Sequence, residues 1–225
     1  MKRMMLLGLI CLLLLSGCGG VSLKKEKMQQ DENGCLIRSE LLMIDGLADT
    51  EREQALNQAH KAMLNQWIAD FSERIAALGS SGETPELTVE EEDKRCDANI
   101  ISTVCQKYLY TGVDAHGNLW QSSRNIYVPT GEELTLSALF NEDDFEKFLN
   151  QRITEVVEAN PSEYADLWEK PAVTDASEKD FYLTDKELVL YYQPYALSYY
   201  ARGVVEIPIR LETLRGYLNQ DIFTG

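Results

Sequence analysis

Five tyrosines within ten positions are the residues whose chemistry best suits recognition. They are Tyr191, Tyr192, Tyr195, Tyr199 and Tyr200, and Pro194 lies among them. Tyrosine offers a large, fairly rigid contact area with a polar tip, and its ring can also stack on a sugar ring. The competing interpretation is that these rings fill the core and form hydrogen bonds within the fold. We predict that Tyr192, Tyr199 and Tyr200 belong to a partner surface.

Motifs for catalysis are absent from the sequence. The two histidines are His60, within a predicted helix, and His116, within a predicted loop. There is no Gly-x-Ser-x-Gly elbow, no His-Glu-x-x-His motif, no phosphate-binding glycine loop and no Cys/His cluster with zinc spacing. We therefore predict no catalytic residue, no metal ligand and no cofactor, and a protein that is not an enzyme. His60 is expected at the edge of an apolar helix face, and His116 is a candidate for the partner surface.

The chain is strongly acidic, with 37 acidic and 21 basic side chains and a formal net charge of −16. Because phosphate would be repelled, this charge excludes a nucleic-acid binder that works through basic patches. The acidic run Glu90–Asp93 is expected to be a solvated face, although counting carboxylates leaves a wall-polymer hydrolase open. Residues 132–180 hold 14 acidic and four basic side chains. We predict that Glu142, Asp143 and Asp144 would attract a basic partner.

The first 17 residues have the pattern of an export signal. Lys2 and Arg3 form a basic start, an apolar run follows, and Leu15-Ser16-Gly17-Cys18 matches the lipobox of bacterial lipoproteins. The run is too short to span a bilayer, which takes about 20 apolar residues. The resemblance implies cleavage before Cys18, lipid on its thiol and acylation of the new amino terminus. The mature protein is then expected outside the cytoplasm, anchored in the cell membrane or outer membrane.

Residues 18–34 are polar and show no periodicity, so we predict a flexible tether between the lipid and the folded domain. After cleavage three other cysteines remain, Cys35, Cys96 and Cys105. An odd number allows at most one disulfide within the chain. Cys96 and Cys105 are nearest in sequence, but a bond from Cys35 to either of them is at least as plausible. The pairing stays open at this point.

The periodicity of the rest predicts an α+β fold, an antiparallel sheet packed by two main helices. The first helix is expected over 50–78, with a capping box of Thr50 and Glu53, and the second over about 142–159, capped by Asn141. Strands are expected at 35–44, 87–96, 100–112, 120–128, 181–183, 188–192 and 204–209. The hairpin of the second and third strands should turn near 97–99. A single unit, or two intimately packed halves, fits this pattern.

The C-terminal part resembles the RsiV-like C-terminal domain, which belongs to the extracellular region of the anti-sigma-V factor. The similar segments are Phe181-Tyr182-Leu183-Thr184-Asp185, Leu188-Val189-Leu190-Tyr191, Pro194-Tyr195, Tyr199-Tyr200-Ala201-Arg202-Gly203 and Val205-Glu206-Ile207-Pro208-Ile209. The upstream part is similar to the accessory domain of PdaC-type deacetylases. It shares with that domain Tyr108, Tyr110, Ala115-His116-Gly117-Asn118 and the run from Thr130 to Leu136. We assign 35–130 to an N-terminal half and 131–225 to an RsiV-like C-terminal half.

The resemblance implies a binding role, because this region of the anti-sigma factor senses lysozyme by binding it. The family pattern also favours core positions for Tyr191 and Tyr195. We therefore expect a lipid-anchored binding protein of the bacterial envelope whose partner is lysozyme or another basic, wall-active protein. The alternative is a module that binds peptidoglycan or another cell-wall glycan, and a wall-polymer hydrolase ranks third.

Overall fold

A computed structural model describes residues 14–15, 20–32, 34–79, 82–141 and 144–223. Cys18, Glu142 and Asp143 lie outside the described residues. The chain divides into two compact units. Unit 1 comprises Met1–Glu92 and Cys105–Trp120, and unit 2 comprises Asp93–Val104 and Gln121–Gly225. The boundaries of these units are not those of the predicted halves 35–130 and 131–225, since residues 93–104 and 121–130 lie in unit 2.

The predicted α+β fold class is confirmed. In chain order the elements are β1 Leu14–Leu15, β2 Ser22–Glu32, β3 Cys35–Asp45, α1 Thr50–Leu78, β4 Glu86–Cys96, β5 Ile100–Tyr110, β6 Asn118–Tyr127, β7 Glu132–Glu133, α2 Phe145–Ala159, β8 Phe181–Leu183, β9 Glu187–Tyr192, β10 Val205–Arg210, α3 Leu211–Leu214 and α4 Gln220–Phe223. The described strands form one sheet in the order β1-β2-β3-β4-β5-β6-β7 and another in the order β10-β9-β8. Within the described part of the chain, no helix is both long and apolar enough to cross a bilayer.

The predicted tether is corrected by β2. This strand pairs antiparallel with β3 along its whole length, from Ser22 opposite Asp45 to Glu32 opposite Cys35. Leu23 is buried, and Lys25 and Lys27 both form ion pairs with Glu40 on β3. Although burial raises the pKa of Glu40, the hydrogen bonds and charges of the two lysines hold it below its usual range. The two lysines therefore lie on a strand, and their charges are balanced by an acidic residue on the neighbouring strand.

The end of the predicted export signal also takes part in the sheet. Leu14 and Leu15 of β1 pair antiparallel with Lys24 and Leu23 of β2. They were expected to belong only to the apolar run of the signal. Because β2 would otherwise present unpaired backbone groups at the edge of the sheet, the nearest preceding segment can pair with it.

The helix α1 begins and ends where the sequence predicts, but its cap differs. The N-cap is Asp49, whose carboxylate accepts the N–H of Arg52 at 2.9 Å, in place of the predicted Thr50. Glu53 instead reaches back across the preceding loop, where its carboxylate accepts the N–H groups of Gly46 and Leu47 at 2.7 and 2.9 Å. Both carboxylates thus satisfy backbone donors at the start of the helix.

α1 packs on β3 and connects it to β4 by a crossover. Because of this crossover, β3 and β4 run parallel, with Leu36 opposite Glu86 and Glu40 opposite Glu90. The predicted sheet is therefore mostly, but not wholly, antiparallel. The core of unit 1 forms between this helix and the strands, from Cys35, Ile37, Leu41, Met43, Leu64, Phe71, Leu87, Val89 and Cys105.

A buried, hydrogen-bonded pair of polar side chains lies in unit 1 between α1 and β4. His60 and Glu91 are 5% and 2% exposed, and His60 Nε2 lies 2.7 Å from Glu91 Oε2. The same oxygen accepts the N–H of Leu42 at 2.7 Å. Two predictions are corrected here. His60 lies inside the unit rather than at the edge of the helix face, and the acidic run Glu90–Asp93 is not wholly solvated, because Glu91 points inward.

Cys35, Cys96 and Cys105 are present as thiols, so the pairing that the sequence left open is not formed in the structure. Cys35 and Cys105 are buried in the core of unit 1, and Cys96 is half-buried in unit 2. Burial, together with the negative charges of Asp93 and Asp97, raises the pKa of the Cys96 thiol to about 11. At neutral pH Cys96 is therefore almost entirely protonated and a poor nucleophile.

Unit 2 is built around α2 and the three-stranded sheet. α2 packs on β10 through an apolar face that includes Phe145, Leu149 and Ile153. It begins three residues later than predicted. Its N-cap position is Asp144, and the side chain of Asn141 donates to the carbonyl of Leu218 at 2.9 Å instead of capping the helix.

A buried polar network joins β8 to β5 and β6 within unit 2. Ser102 donates to the side-chain oxygen of Asn125 at 2.7 Å, and the amide of Asn125 donates to the carbonyl of Phe181 at 2.8 Å. The N–H of Leu183 donates to the hydroxyl of Ser102 at 2.9 Å. Ser102 and Asn125 are both buried, so these bonds replace water for the polar groups involved.

Candidate binding surface

Two loops of unit 2 are joined by their own hydrogen bonds. The first, residues 160–170, follows α2, and the second, residues 193–204, connects β9 to β10. The backbone N–H of Trp168 in the first loop donates to the carbonyl of Leu197 in the second at 3.0 Å. Proline residues bound the first loop, with Pro161 near its start and Pro171 directly after it. The bonds between the loops fix them as one structural element.

Asp166 is the side chain that holds the two loops together. Its carboxylate forms an ion pair with Arg202, and Ser198 donates to its backbone carbonyl at 3.0 Å and to its carboxylate at 3.2 Å. The Arg202 guanidinium also lies over the ring of Tyr164, 5.9 Å from its centre. Tyr164 is buried and donates its hydroxyl to the carbonyl of Glu206 at 3.0 Å. Hydrogen bonds and an ion pair therefore hold the base of the loop pair together.

Four aromatic side chains project from this loop pair, and we call them the aromatic loop surface: Trp168, Tyr195, Tyr199 and Tyr200. Trp168, Tyr195 and Tyr199 are 55%, 57% and 52% exposed. Tyr200 is half-buried, and its ring centre lies 5.4 Å from that of Tyr195 at a tilt of 35°. Exposed aromatic side chains are typical of recognition sites, since they gain the most from being covered.

The backbone of Tyr195 is strained. Its φ is 71°, and it is the only residue other than glycine with a positive φ in the described part of the chain. A non-glycine residue in this region costs on the order of 1–3 kcal/mol and persists only where its surroundings impose it. Tyr195 directly follows Pro194, and its side chain is exposed. The expectation that Tyr195 is a core residue is therefore wrong.

The predicted tyrosines divide between the surface and the core. Tyr199, which is exposed, and Tyr200, which is half-buried, lie on the loop pair. Tyr192 does not, because its ring is buried and its hydroxyl donates to the carbonyl of Ala172 at 2.8 Å. Burial raises the pKa of the Tyr192 hydroxyl well above its usual range. Tyr191 is buried, as expected, and its hydroxyl lies 3.2 Å from the hydroxyl of Ser123.

The predicted acidic residues do not belong to either loop of the aromatic loop surface. Glu142 and Asp143 are outside the described residues, and Asp144 is exposed at the start of α2. The first loop instead supplies Glu163 and Glu169, both exposed and close in sequence to Trp168. These two carboxylates and Trp168 were missed by the sequence analysis. An isolated tryptophan in a polar segment between two prolines was the signal that could have found them.

His116 belongs to unit 1, whereas the aromatic loop surface belongs to unit 2. It is exposed in the loop before β6, where its Nδ1 lies 2.8 Å from the carbonyl of Gly117. A Cβ atom at Gly117 would lie 2.2 Å from the ring of Tyr108, so a larger residue at this position would have to displace that ring. The loop is also fastened by the hydroxyl of Thr111, which donates to Asp114 at 2.6 Å. His116 thus lies in a hydrogen-bonded loop of unit 1.

The described residues contain no group of three or more His, Cys, Asp or Glu side chains arranged to hold a metal ion. A cavity of about 550 Å³ lies in unit 2 and is lined by charges of both signs, among them Asp185, Lys186 and Arg215. Burial, and then the negative charge of Asp185, raise the pKa of Asp93. Asp93 and Asp185 are thus two carboxylates close enough for the charge of one to affect the titration of the other.

One family model matches part of the chain. Residues 137–212 match the family model described as "Protein of unknown function (DUF3298)". The matched segment contains α2, β8, β9, β10 and both loops of the aromatic loop surface. No curated protein matches the chain.

Two solved structures are similar over most of their length. One is a member of the DUF3298 family from Bacteroides fragilis, with a TM-score of 0.67 and 18% identity, covering 88% of this chain and 94% of that chain. The other is a DUF3298 family protein from Pseudomonas aeruginosa, with a TM-score of 0.63 and 16% identity, covering 90% of this chain and 97% of that chain. At these identities the likeness shows a shared fold.

Proposed function

We propose that the chain is a lipid-anchored, extracytoplasmic binding protein of the bacterial envelope, and that it binds lysozyme or another basic, wall-active protein. The observation that carries this proposal is the aromatic loop surface, three of whose four side chains are more than half exposed. The role is binding rather than catalysis. The anchor is supported by the lipobox at Leu15-Ser16-Gly17-Cys18.

The geometry of the loop pair suits a protein partner. Aromatic side chains contribute most to binding when they are central and surrounded by polar groups that exclude water. Here the aromatic rings are accompanied by the exposed carboxylates of Glu163 and Glu169, and the base of the loops is held by Asp166 and Arg202. Little ordering of the backbone would be required on binding, which reduces its entropic cost.

The charge of the chain suits a basic partner. The full chain carries −16, and loss of Lys2 and Arg3 with the signal would make the mature protein more acidic. Opposite charge accelerates encounter and makes binding weaker as salt is added. The resemblance to a domain that senses lysozyme points to the same class of partner.

The anchor makes a prediction of its own. In cells fed a labelled fatty acid, the mature protein should incorporate the label, and Cys18→Ser should lose it completely, because the acyl chains depend on this residue. The matched control is Cys96→Ser, which should keep full labelling, since Cys96 is half-buried in unit 2. Intact mass spectrometry of the labelled protein should show that residues 1–17 are absent. Label retained in the Cys18→Ser variant would contradict the anchor.

The second candidate function is binding of cell-wall glycan. The aromatic loop surface also favours this function, because tyrosine and tryptophan rings stack on sugars. The two functions differ in their response to salt, since stacking on a neutral sugar is screened far less than attraction between opposite charges. Sedimentation with insoluble peptidoglycan at moderate salt separates them. The glycan-binding function predicts that the protein pellets, and the proposed function predicts that it stays in the supernatant.

A further inference from the structure

The folded part of unit 1 begins almost at the proposed lipid. Val21 and Leu23 are buried, so the chain is already packed into the unit at these positions. Gly20 is fixed against Gly46, because a Cβ atom at Gly46 would lie only 2.1 Å from the carbonyl oxygen of Gly20. Both glycines have a positive φ, 90° at Gly20 and 97° at Gly46. This close approach requires glycine at position 46.

We infer that unit 1 sits directly on the bilayer surface, with the end that contains Gly20 and the loop between β3 and α1 facing the lipid. The inference rests on the proposed lipid anchor at Cys18. Two residues of extended chain reach at most about 7 Å, so the lipidated residue cannot lie farther than this from Gly20. The long polar tether predicted from the sequence is replaced by a strand, and nothing of comparable length remains to lift the unit away from the membrane.

The surface that would meet the lipid is formed by the loop after β3 and the first turn of α1. The Cα partner of Ser22 is Asp45, which places the start of β2 at this end of the sheet. Three of its carboxylates are already engaged, and a fourth, that of Glu51, is exposed to solvent. Asp45 forms an ion pair with Lys24 at 2.7 Å, Asp49 caps α1, and Glu53 accepts two backbone N–H groups. Bonds to cations and to a helix N-terminus offset the repulsion that anionic lipid would otherwise exert on these groups.

The opposite end of unit 1 points away from the lipid in this arrangement. α1 has 29 residues and is therefore about 43 Å long at 1.5 Å per residue. It starts beside the end of β3 and leads to β4, whose start pairs with the start of β3, where the N–H of Leu36 donates to the carbonyl of Pro85 at 2.9 Å. Gly82 lies just before this point and is exposed. Ala48 and Gly82 therefore mark the near and far ends of the unit.

Energy transfer to the membrane measures this orientation. The full lipoprotein is reconstituted in vesicles of phosphatidylethanolamine and phosphatidylglycerol that contain a rhodamine-labelled lipid, and a donor dye is attached to Ala48→Cys or to Gly82→Cys. Both positions are exposed, and a Cβ at Gly82 meets no atom within 4 Å. Transfer from position 48 is expected to be at least about twofold more efficient than from position 82, because the two ends are separated by roughly the length of the helix.

Two controls make the result specific. The unsubstituted chain measures background labelling, which should be low at pH 7 because Cys35 and Cys105 are buried and the pKa of Cys96 is about 11. Insertion of a 15-residue Gly/Ser linker between Gly19 and Gly20 should make transfer from the two positions equal, since such a linker spans on the order of 20 Å.

The outcomes separate this inference from the proposed function. Equal transfer from positions 48 and 82 in the vesicle-bound protein without the inserted linker would overturn the fixed orientation and leave the anchor intact. A protein that remains in the supernatant when the vesicles are pelleted would overturn the anchor, and the orientation with it. Higher transfer from position 48, lost on insertion of the linker, is the expected result.

Discussion

Replacing Glu91 by Ala is expected to lower the free energy of unfolding by roughly 2–6 kcal/mol, because two buried polar groups lose their shared hydrogen-bond partner at about 1–3 kcal/mol each. The Glu91 carboxylate accepts the N–H of Leu42 and lies 2.7 Å from His60, and both side chains of the pair are almost fully buried. Its removal would leave a backbone donor and a histidine ring nitrogen without this partner, away from water. A loss of this size is a large fraction of the stability of an ordinary domain.

Urea denaturation, followed by circular dichroism, measures this effect. The matched control is Glu90→Gln, since Glu90 is the exposed neighbour on the same strand and its replacement should change the free energy by no more than about 0.5 kcal/mol. Glu91→Gln should fall between the two, because its amide oxygen can still accept the N–H of Leu42. A Glu91→Ala variant as stable as the Glu90→Gln control would show that the buried pair does not hold α1 to β4.

Replacing Trp168 by Ala is expected to weaken binding of lysozyme about 30-fold, equivalent to roughly 2 kcal/mol, the loss typical of a central aromatic residue. Tyr199→Ala should have an effect of the same order, because the Tyr199 side chain is as exposed as that of Trp168 and belongs to the same surface. Both side chains leave the buried network of unit 2 untouched, so the fold should be retained. Isothermal titration calorimetry at low salt gives the dissociation constants.

Trp120→Ala is the control for this prediction. Trp120 is 52% exposed, which is close to the value for Trp168, but it belongs to unit 1. Its replacement removes the same amount of aromatic surface without touching the loop pair, so affinity should change less than about twofold, as expected outside a binding site. Equal effects of Trp168→Ala and Trp120→Ala would mean that the aromatic loop surface is not the binding site.

The regular elements could be predicted because each depends on a local pattern. The bounds of α1 follow from a run of apolar residues at helical spacing, with Gly79 directly after it. The hairpin of β4 and β5 turns as predicted, where the N–H of Asp97 donates to the carbonyl of Ile100 at 3.0 Å. Such features depend on residues that are close together in the sequence, so they can be predicted from it.

β2 was missed although a local signal was present. Asn33-Gly34 separates β2 from β3, and this dipeptide between two extended segments is a strong indicator of a hairpin. The lysines of β2 were interpreted as a solvated spacer. Whether Lys25 is solvated or paired depends on Glu40, which lies across the sheet and cannot be assigned to it before the register is known.

The buried pair His60 and Glu91 could not be predicted from one sequence. The two residues are 31 positions apart and lie on different elements. Neither lies in a local sequence pattern that predicts its burial. Glu91 in particular lies within an acidic run, and only the pairing of β4 beside β3 decides which of its members faces the helix. Tertiary packing, and not composition, therefore determines which carboxylate of the acidic run is buried.

The tyrosines show the same limit at the candidate site. Tyr191 and Tyr192 are adjacent on β9, and strand alternation predicts that only one of them is buried. Both are buried, because β9 is the central strand of its sheet and is covered on both faces. Tyr195 is exposed and has a positive φ, which its sequence does not predict. Trp168 joins the site through a hydrogen bond between loops, which no periodicity reveals.

The central claim is that an anchored protein binds a basic partner, and sedimentation of lysozyme with lipoprotein-bearing vesicles tests it most directly. The vesicles consist of neutral phosphatidylcholine, so lysozyme has no charged lipid to bind. At low salt we predict that lysozyme pellets with vesicles that carry the mature protein and not with empty vesicles, and that moderate salt releases most of it. Lysozyme that stays in the supernatant at low salt, while the lipoprotein itself pellets, would contradict the proposed function.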